Sequence, residues 1–239
     1  MNIKQAVLLI ISVMSLASCG KQVIPASGVE LGKEYYPIQV GHFIEYAVDS
    51  IKYNDFNKSI DTISYELRDE ITSEFQDDQG RASFLVTQYK RMTPNEGWLN
   101  NMTYYITPTD FNIEIIENNI RFVKLVYPVK TNTKWDGNVY VASQTPELSW
   151  YHNWVYSYTN INEEYHTGYI HFPSTVTVNE ANEYAGDSTN NLYSTRTFSR
   201  ERYAKNVGLI SREIVNWEYQ ENIKFRKGFI LVYRAKSYN

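Results

Sequence analysis

Few side chains in this sequence are equipped for chemistry. Cys19 is the single thiol in a chain of 239 residues, and there are four histidines. His166 and His171 stand five apart, a spacing that on one strand places them on opposite faces. A shared metal ion would need a bulge between them, with Glu163, Glu164 or His152 completing the shell. The spacing instead favours rings that are solvated or satisfied one by one, and no metal is expected. Asp77-Asp78 and Glu163-Glu164 are the carboxylate pairs that acid–base catalysis would draw on, yet adjacent carboxylates in polar turns are ordinarily hydrated. The chain contains no Gly-x-Ser-x-Gly elbow, no His-Glu-x-x-His, no phosphate-cradling loop and no Gly-rich dinucleotide fingerprint. The expectation is a non-enzyme without catalytic residues or cofactor. The enzyme alternative is a hydrolase whose groups are dispersed along the chain.

The run from Trp150 to Tyr158 is the densest aromatic stretch. On a strand, Trp150, His152, Trp154, Tyr156 and Tyr158 share one face. Such a ladder can stack on a glycan, line an apolar groove or dock on a partner, and the same pattern suits a strand facing the core. The 21 tyrosines of the chain fit either reading, because each ring combines apolar area with a polar tip.

Cys19 has its own setting. Residues 1–4 are short and carry one positive side chain, and 6–16 are apolar, too short for a bilayer core that needs about 20 apolar residues. Leu16-Ala17-Ser18-Cys19 then resembles the lipobox of bacterial lipoprotein precursors. That resemblance implies cleavage before Cys19, diacylglycerol on its sulfur and acylation of the new amino group, with palmitate the kind of chain involved. Two or more acyl chains hold a protein stably on a membrane, since each buried CH₂ contributes about 0.8 kcal/mol. Gly20 after the cysteine resembles lipoproteins bound in the outer membrane. The lack of acidic residues in Gly20-Lys21-Gln22-Val23 leans toward the periplasmic face over the cell surface. The expected organisation is a signal peptide at 1–18, a lipidated tether at 19–34 whose Pro, Ser and Gly residues lack periodicity, and one β-rich domain at 35–239.

With its thiol acylated, the chain has no disulfide and must be held by burial alone. Its formal charge of −4 becomes −5 once Lys4 leaves with the signal. A mildly acidic surface excludes nucleic acid as a partner, since such binding rests on neutralised phosphates.

Alternation dominates the rest. In 63–71, Ile63, Tyr65, Leu67 and Ile71 share one parity, broken only by Asp69, and Ser64, Glu66, Arg68 and Glu70 the other, the period of a half-buried strand. Similar patterns predict strands at 42–53, 82–92, 102–108, 111–117, 120–127, 138–143, 165–172, 175–179, 209–219 and 223–236. A short helical turn is expected at 199–205. The fold class is all-β with minor α: a largely antiparallel curved sheet, half-barrel or sandwich-like. Gly41 and Gly208 are placed to permit tight turns, and Asp136-Gly137 carries hairpin chemistry. Tyr36 to Gly41 and Tyr127 to Asn132 both set Tyr-Pro before a β-branched residue, the trace that a duplicated half would leave.

Tyr35 to Gly41, Leu125 to Asn138, Tyr203 to Glu213 and Trp217 to Gln220 resemble uncharacterised outer-membrane lipoproteins of Bacteroidetes-type bacteria. The resemblance implies a secreted β-rich domain, with a curved sheet like that of periplasmic lipoprotein carriers, and supplies no catalytic residue. Asp49-Ser50-Ile51, Asp61-Thr62-Ile63 and Asp187-Ser188-Thr189 resemble the O-glycosylation sites of such bacteria, with Ser50, Thr62 and Ser188 as acceptors. Two functions follow. One is a non-catalytic subunit, lipid-anchored through Cys19, that binds or assembles an outer-membrane or envelope protein complex. The other is a carrier of a lipid, glycan or other apolar ligand. Cys19→Ala is expected to leave the protein unlipidated and to release it from the membrane pellet after a high-salt wash. Full retention in the pellet would contradict the anchor.

Overall fold

The computed structural model describes residues 30–187 and 192–239; Cys19, Ser188 and most of the expected tether lie outside them. Within Leu31–Asn239, 12 strands form one antiparallel sheet that is nearly closed into a barrel. The sheet accounts for 63% of the described residues against 4% helix. The strands are β1 (Phe43–Asn54), β2 (Ser59–Gln76), β3 (Ala82–Arg91), β4 (Leu99–Pro108), β5 (Asn112–Glu117), β6 (Ile120–Val126), β7 (Lys134–Trp135), β8 (Tyr156–His166), β9 (His171–Gly186), β10 (Ser194–Ala204), β11 (Gly208–Gln220) and β12 (Phe225–Tyr238). Strands adjacent in sequence pair with one another except β6 and β7, which form the two edges of the sheet, and β1 pairs with β12 at its middle.

Alternation decides which side chains enter the barrel. On β1, Ile44, Tyr46 and Val48 are buried, while Glu45, Ala47 and Asp49 between them are less so. The five tyrosines that are fully buried each hold an acceptor: Tyr35 donates to Asn162 Oδ1, Tyr46 to the Leu209 carbonyl, Tyr156 to Asn138 Oδ1, Tyr158 to the Val126 carbonyl and Tyr203 to Glu201. Bonded in this way, a phenol can be buried without an unsatisfied polar group.

The sheet's free edge at β6 meets the β7–β8 side without a regular ladder. The Val123 amide donates to the Gly137 carbonyl at 2.8 Å, and Trp135 Nε1 donates to the Val123 carbonyl at 2.8 Å. The Tyr158 hydroxyl accepts from the Val126 amide and donates to the Val126 carbonyl, both at 2.8 Å. Four backbone groups of an edge strand are thereby satisfied. Gly137 makes the approach possible, because a Cβ there would lie 2.4 Å from the Tyr156 ring.

Several local expectations fail, each for a definable reason. Residues 138–143 are turns: the Asn138 amide bonds Asp136 Oδ1 and the Val141 amide bonds the Asn138 carbonyl. The predicted strand at 165–172 is broken in two: its ends belong to β8 and β9, and 167–170 is the turn between them, where Thr167 Oγ1 accepts from the Tyr169 and Ile170 amides and Gly168 takes φ +98°. The helical turn at 199–205 is part of β10. The aromatic run does not form one strand, since Trp150 and Tyr151 end a 3₁₀ helix at Pro146–Tyr151 and β8 begins at Tyr156. Gly41 and Gly208 do supply positive φ, +89° and +105°, in the turns before β1 and β11.

Tyr158→Phe keeps the ring and removes the hydroxyl that satisfies both polar groups of Val126. Leaving buried backbone groups unpaired costs about 1–3 kcal/mol. A lowered urea midpoint with an unchanged slope is expected, and an unchanged midpoint would show that the seam does not depend on this hydroxyl.

Candidate functional site

The inward parity of four strands delivers charge as well as apolar surface. On β6, Phe122 and Lys124 lie on the same face, and on β9 Glu180 follows Val176 and Val178. On β10, Ser199, Glu201 and Tyr203 share the inner face, opposite Arg212 of β11. Lys124 Nζ crosses the interior to Glu180 Oε1 at 2.7 Å and Glu201 Oε1 at 3.0 Å, while Arg212 Nε donates to Glu201 Oε1 at 2.7 Å. The Ser199 hydroxyl donates to Glu180 and the Tyr203 hydroxyl to Glu201.

Burial by itself would push the Glu201 carboxyl up, but the charges of Lys124 and Arg212 override it and hold the group down at about 2. Glu180 is raised by its own burial and then by the facing charge of Glu201. Lys124 is raised despite burial, because both glutamates stabilise the ammonium. A lysine that acts as a nucleophile needs the opposite shift. The cluster reads as a paired ionic layer.

A cavity of about 140 Å³ lies against this layer, with Lys124, Arg212, Glu180, Trp150, Tyr151 and Tyr156 among its walls. On another side of Arg212 a space of about 40 Å³ reaches Asp69, Tyr36 and Tyr104. Asp69 accepts from Gln88 Nε2 at 2.9 Å and from the Tyr104 hydroxyl at 3.0 Å, yet burial pushes its carboxyl up to about 6.

The sequence-predicted site residues are scattered. Trp154, Tyr156 and Tyr158 are buried in the core, so for these three the core-facing reading of the run holds and a binding ladder does not form. Trp154 Nε1 donates to the Trp150 carbonyl at 2.7 Å, and Trp150 stacks near Tyr151 with centroids 4.0 Å apart. His152 is exposed at the end of the 3₁₀ helix. His166 and His171 are not on opposite faces of one strand. They face each other across the β8–β9 hairpin with centroids 6.5 Å apart, because Thr167–Ile170 turns the chain. His171 Nε2 meets Glu164 Oε2 at 3.1 Å, whereas Glu163 is bonded by Asn160 Nδ2. Among the described residues no group of three His, Cys, Asp or Glu side chains is placed to hold a metal ion. Asp77 is tied to Arg81 in an exposed turn, at 2.7 Å.

Ser50 sits within β1, hydrogen-bonded between β2 and β12, and the adjoining Asp49 is engaged by Ser64 Oγ and by Arg234. That tripeptide is built into the sheet, with Ser50 half-buried. Thr62 is exposed on β2.

The buried charges Lys124, Glu180, Glu201 and Arg212 escaped sequence reading. Their signal was a charged residue at a core-parity position in an otherwise apolar strand, as in Phe122-Val123-Lys124-Leu125.

No protein-family model matches the chain, and no curated protein matches it in sequence. Two solved structures are similar to it. One is a protein of Bacteroides fragilis described as exported and as having a YmcC-like fold, with TM-score 0.41 and 9% identity over 85% of this chain and 98% of its own. The other is a protein of Parabacteroides distasonis described as a lipoprotein, with TM-score 0.40 and 9% identity over 86% and 98%.

Asp69 gives a pH test. Folded, it keeps its proton up to about pH 6, whereas the unfolded group releases it near 3.8. Between those values the folded state binds the extra proton, so its contribution to stability is complete below about pH 4 and is lost as pH rises through about 6. At roughly 1.4 kcal/mol per unit, that loss is about 3 kcal/mol. Asp69→Asn is expected to flatten the curve between pH 4 and 7 and to be the more stable protein at pH 7, measured by urea unfolding. Parallel curves for the two proteins would contradict the assignment.

Proposed function

We propose that this chain is a non-catalytic lipoprotein, held at the outer membrane by lipid on Cys19 with its domain on the periplasmic side, that serves as a binding or assembly subunit of a cell-envelope protein complex. The observation that carries the proposal is the filling of the barrel. Ligand pockets run to about 300–1,000 Å³ and are mostly apolar, whereas the space beside the ionic layer is about 140 Å³ and is walled in part by Lys124, Glu180 and Arg212. A carrier of an acyl chain needs a continuous apolar interior, and here five tyrosines and four charged side chains occupy that place. Recognition then falls to the outer surface.

That surface is uneven. Strands alternate in direction, so the β1–β2, β3–β4 and β11–β12 turns gather at one end of the barrel, while residues 31–42 and the β4–β5 and β10–β11 turns lie at the other. At the first end Phe56 is 96% exposed and Leu99 72%. Large apolar side chains held out on turns are the kind of feature that marks an association surface.

Mild-detergent pull-down through a carboxy-terminal tag, read by mass spectrometry, is expected to recover an outer-membrane protein in stoichiometric amount. Phe56→Asp with Leu99→Asp should lower that recovery at least tenfold while leaving the melting temperature within about 2 °C, as expected for exposed sites. Recovery of lipid without protein would favour the carrier reading instead.

A further inference from the structure

The end of the barrel opposite Phe56 is where the chain arrives from Cys19. The Leu31 carbonyl accepts from the Val129 amide at 2.9 Å, and the Glu34 carbonyl accepts from the Asn206 amide in the β10–β11 turn at 2.7 Å. On the same end, the β4–β5 turn holds out Phe111, 77% exposed. Its backbone is firmly fixed: the Phe111 and Asn112 amides both donate to Thr109 Oγ1, the Thr109 amide donates to the Asn112 carbonyl, and the Phe111 carbonyl accepts from the Tyr127 amide. A ring displayed by so well-bonded a turn has water as its only neighbour over most of its surface. The neighbouring Asp110 is offset by Lys33 Nζ at 3.3 Å, and Lys130 is exposed nearby. Val40 and Leu31 are also exposed on this end, and a groove of about 310 Å³ lined by Ile38, Phe84, Pro108, Ile113 and Tyr127 opens there.

We infer that this tether-side rim, led by Phe111 with Val40 and Leu31, rests in the interfacial layer of the bilayer. The inference depends on the proposal that Cys19 is lipidated. Twelve peptide steps separate Cys19 from Leu31, a contour of at most about 43 Å. The 12 residues of β1 extend about 40 Å along the strand at roughly 3.3 Å each, or about 30 Å along a barrel axis at a tilt of about 40°. A flexible chain of 12 residues spans about 20 Å on average, so seating the Phe56 end on the membrane would stretch it well beyond that span, whereas the Phe111 end reaches the surface without stretching. Aromatic rings partition readily into the headgroup region, and apolar side chains there add to the hold of the acyl chains. The anchor sets the distance and the rim sets the orientation, which leaves Phe56 and Leu99 pointing away from the lipid.

The only native thiol is Cys19, so a single introduced cysteine can carry a nitroxide label. The full-length protein, purified from membranes and reconstituted in phosphatidylethanolamine–phosphatidylglycerol vesicles, is labelled at Asp110→Cys or at Phe56→Cys. After a high-salt wash, the collision rates with oxygen and with a nickel chelate are compared. The oxygen-to-nickel ratio at position 110 is expected to be about threefold or more above that at position 56, and Phe111→Asp in the same protein should return it to the value at 56. Equal ratios in washed vesicles that retain the protein would overturn the seating alone. A label at 110 shielded from both reagents would overturn it in favour of contact between copies of the chain. Loss of the protein in the wash would overturn the lipid anchor and the seating with it.

Discussion

An ammonium group inside a β-barrel must find its counter-charges inside as well. Lys124 meets Glu180 and Glu201 from across the interior, and Arg212 shares Glu201. Removing charges from water costs several kcal/mol each, and the attraction between them repays this only with close geometry and further hydrogen bonds, which Ser199 and Tyr203 provide. The pairing also has a geometric effect. β6 is the strand at the open edge, with no regular ladder to β7 or β8, and Lys124 ties it to β9 and β10 through the interior. Sliding β6 by one residue would turn Lys124 outward, leaving Glu180 without its lysine and Glu201 with Arg212. The ionic layer therefore helps to fix the register of an edge strand that the sheet holds on one side alone.

A barrel filled in this way is a scaffold with two distinct ends and not a container. One end holds the segment 31–42 and the turns that bond it; the other carries longer hairpins with bare apolar tips. The 3₁₀ helix Pro146–Tyr151 and Trp154 close part of the second end with rings packed in tilted and edge-to-face contact. The same aromatic residues that would suit a binding ladder are consumed in making the scaffold.

The sequence made the strands legible wherever one face was apolar and the other wet. β1, β3, β5, β6, β11 and β12 fall within a few residues of their expected bounds. It failed where polar side chains face inward. Ser199, Glu201 and Tyr203 do so on β10, and their partners come from β6, β9 and β11, so no local window contains the reason for that strand. It failed again where apolar residues sit in turns, as Val139 and Tyr140 do, exposed beyond an Asn138 turn. The two Tyr-Pro segments lead into β1 and toward β7, the first strands of the two six-strand meanders. His166 and His171 became neighbours only because Thr167-Gly168 turns the chain between them, a signal present in the sequence and outweighed by the alternation around it.

The pairing of β1 with β12 has a consequence for how the molecule reaches this state. Every other ladder joins strands adjacent in sequence and can zip one hairpin at a time, each closing a short loop. Ile44 opposite Tyr238 closes nearly the entire domain, at a chain-entropy cost roughly 3 kcal/mol above that of a four-residue hairpin loop. Such non-local closure slows folding. A chain emerging from a ribosome or a translocation channel holds β1 without its central partner until the final strand is out. Until then one flank of that strand stays open to any passing edge, and the interval favours whatever chaperone first shields it.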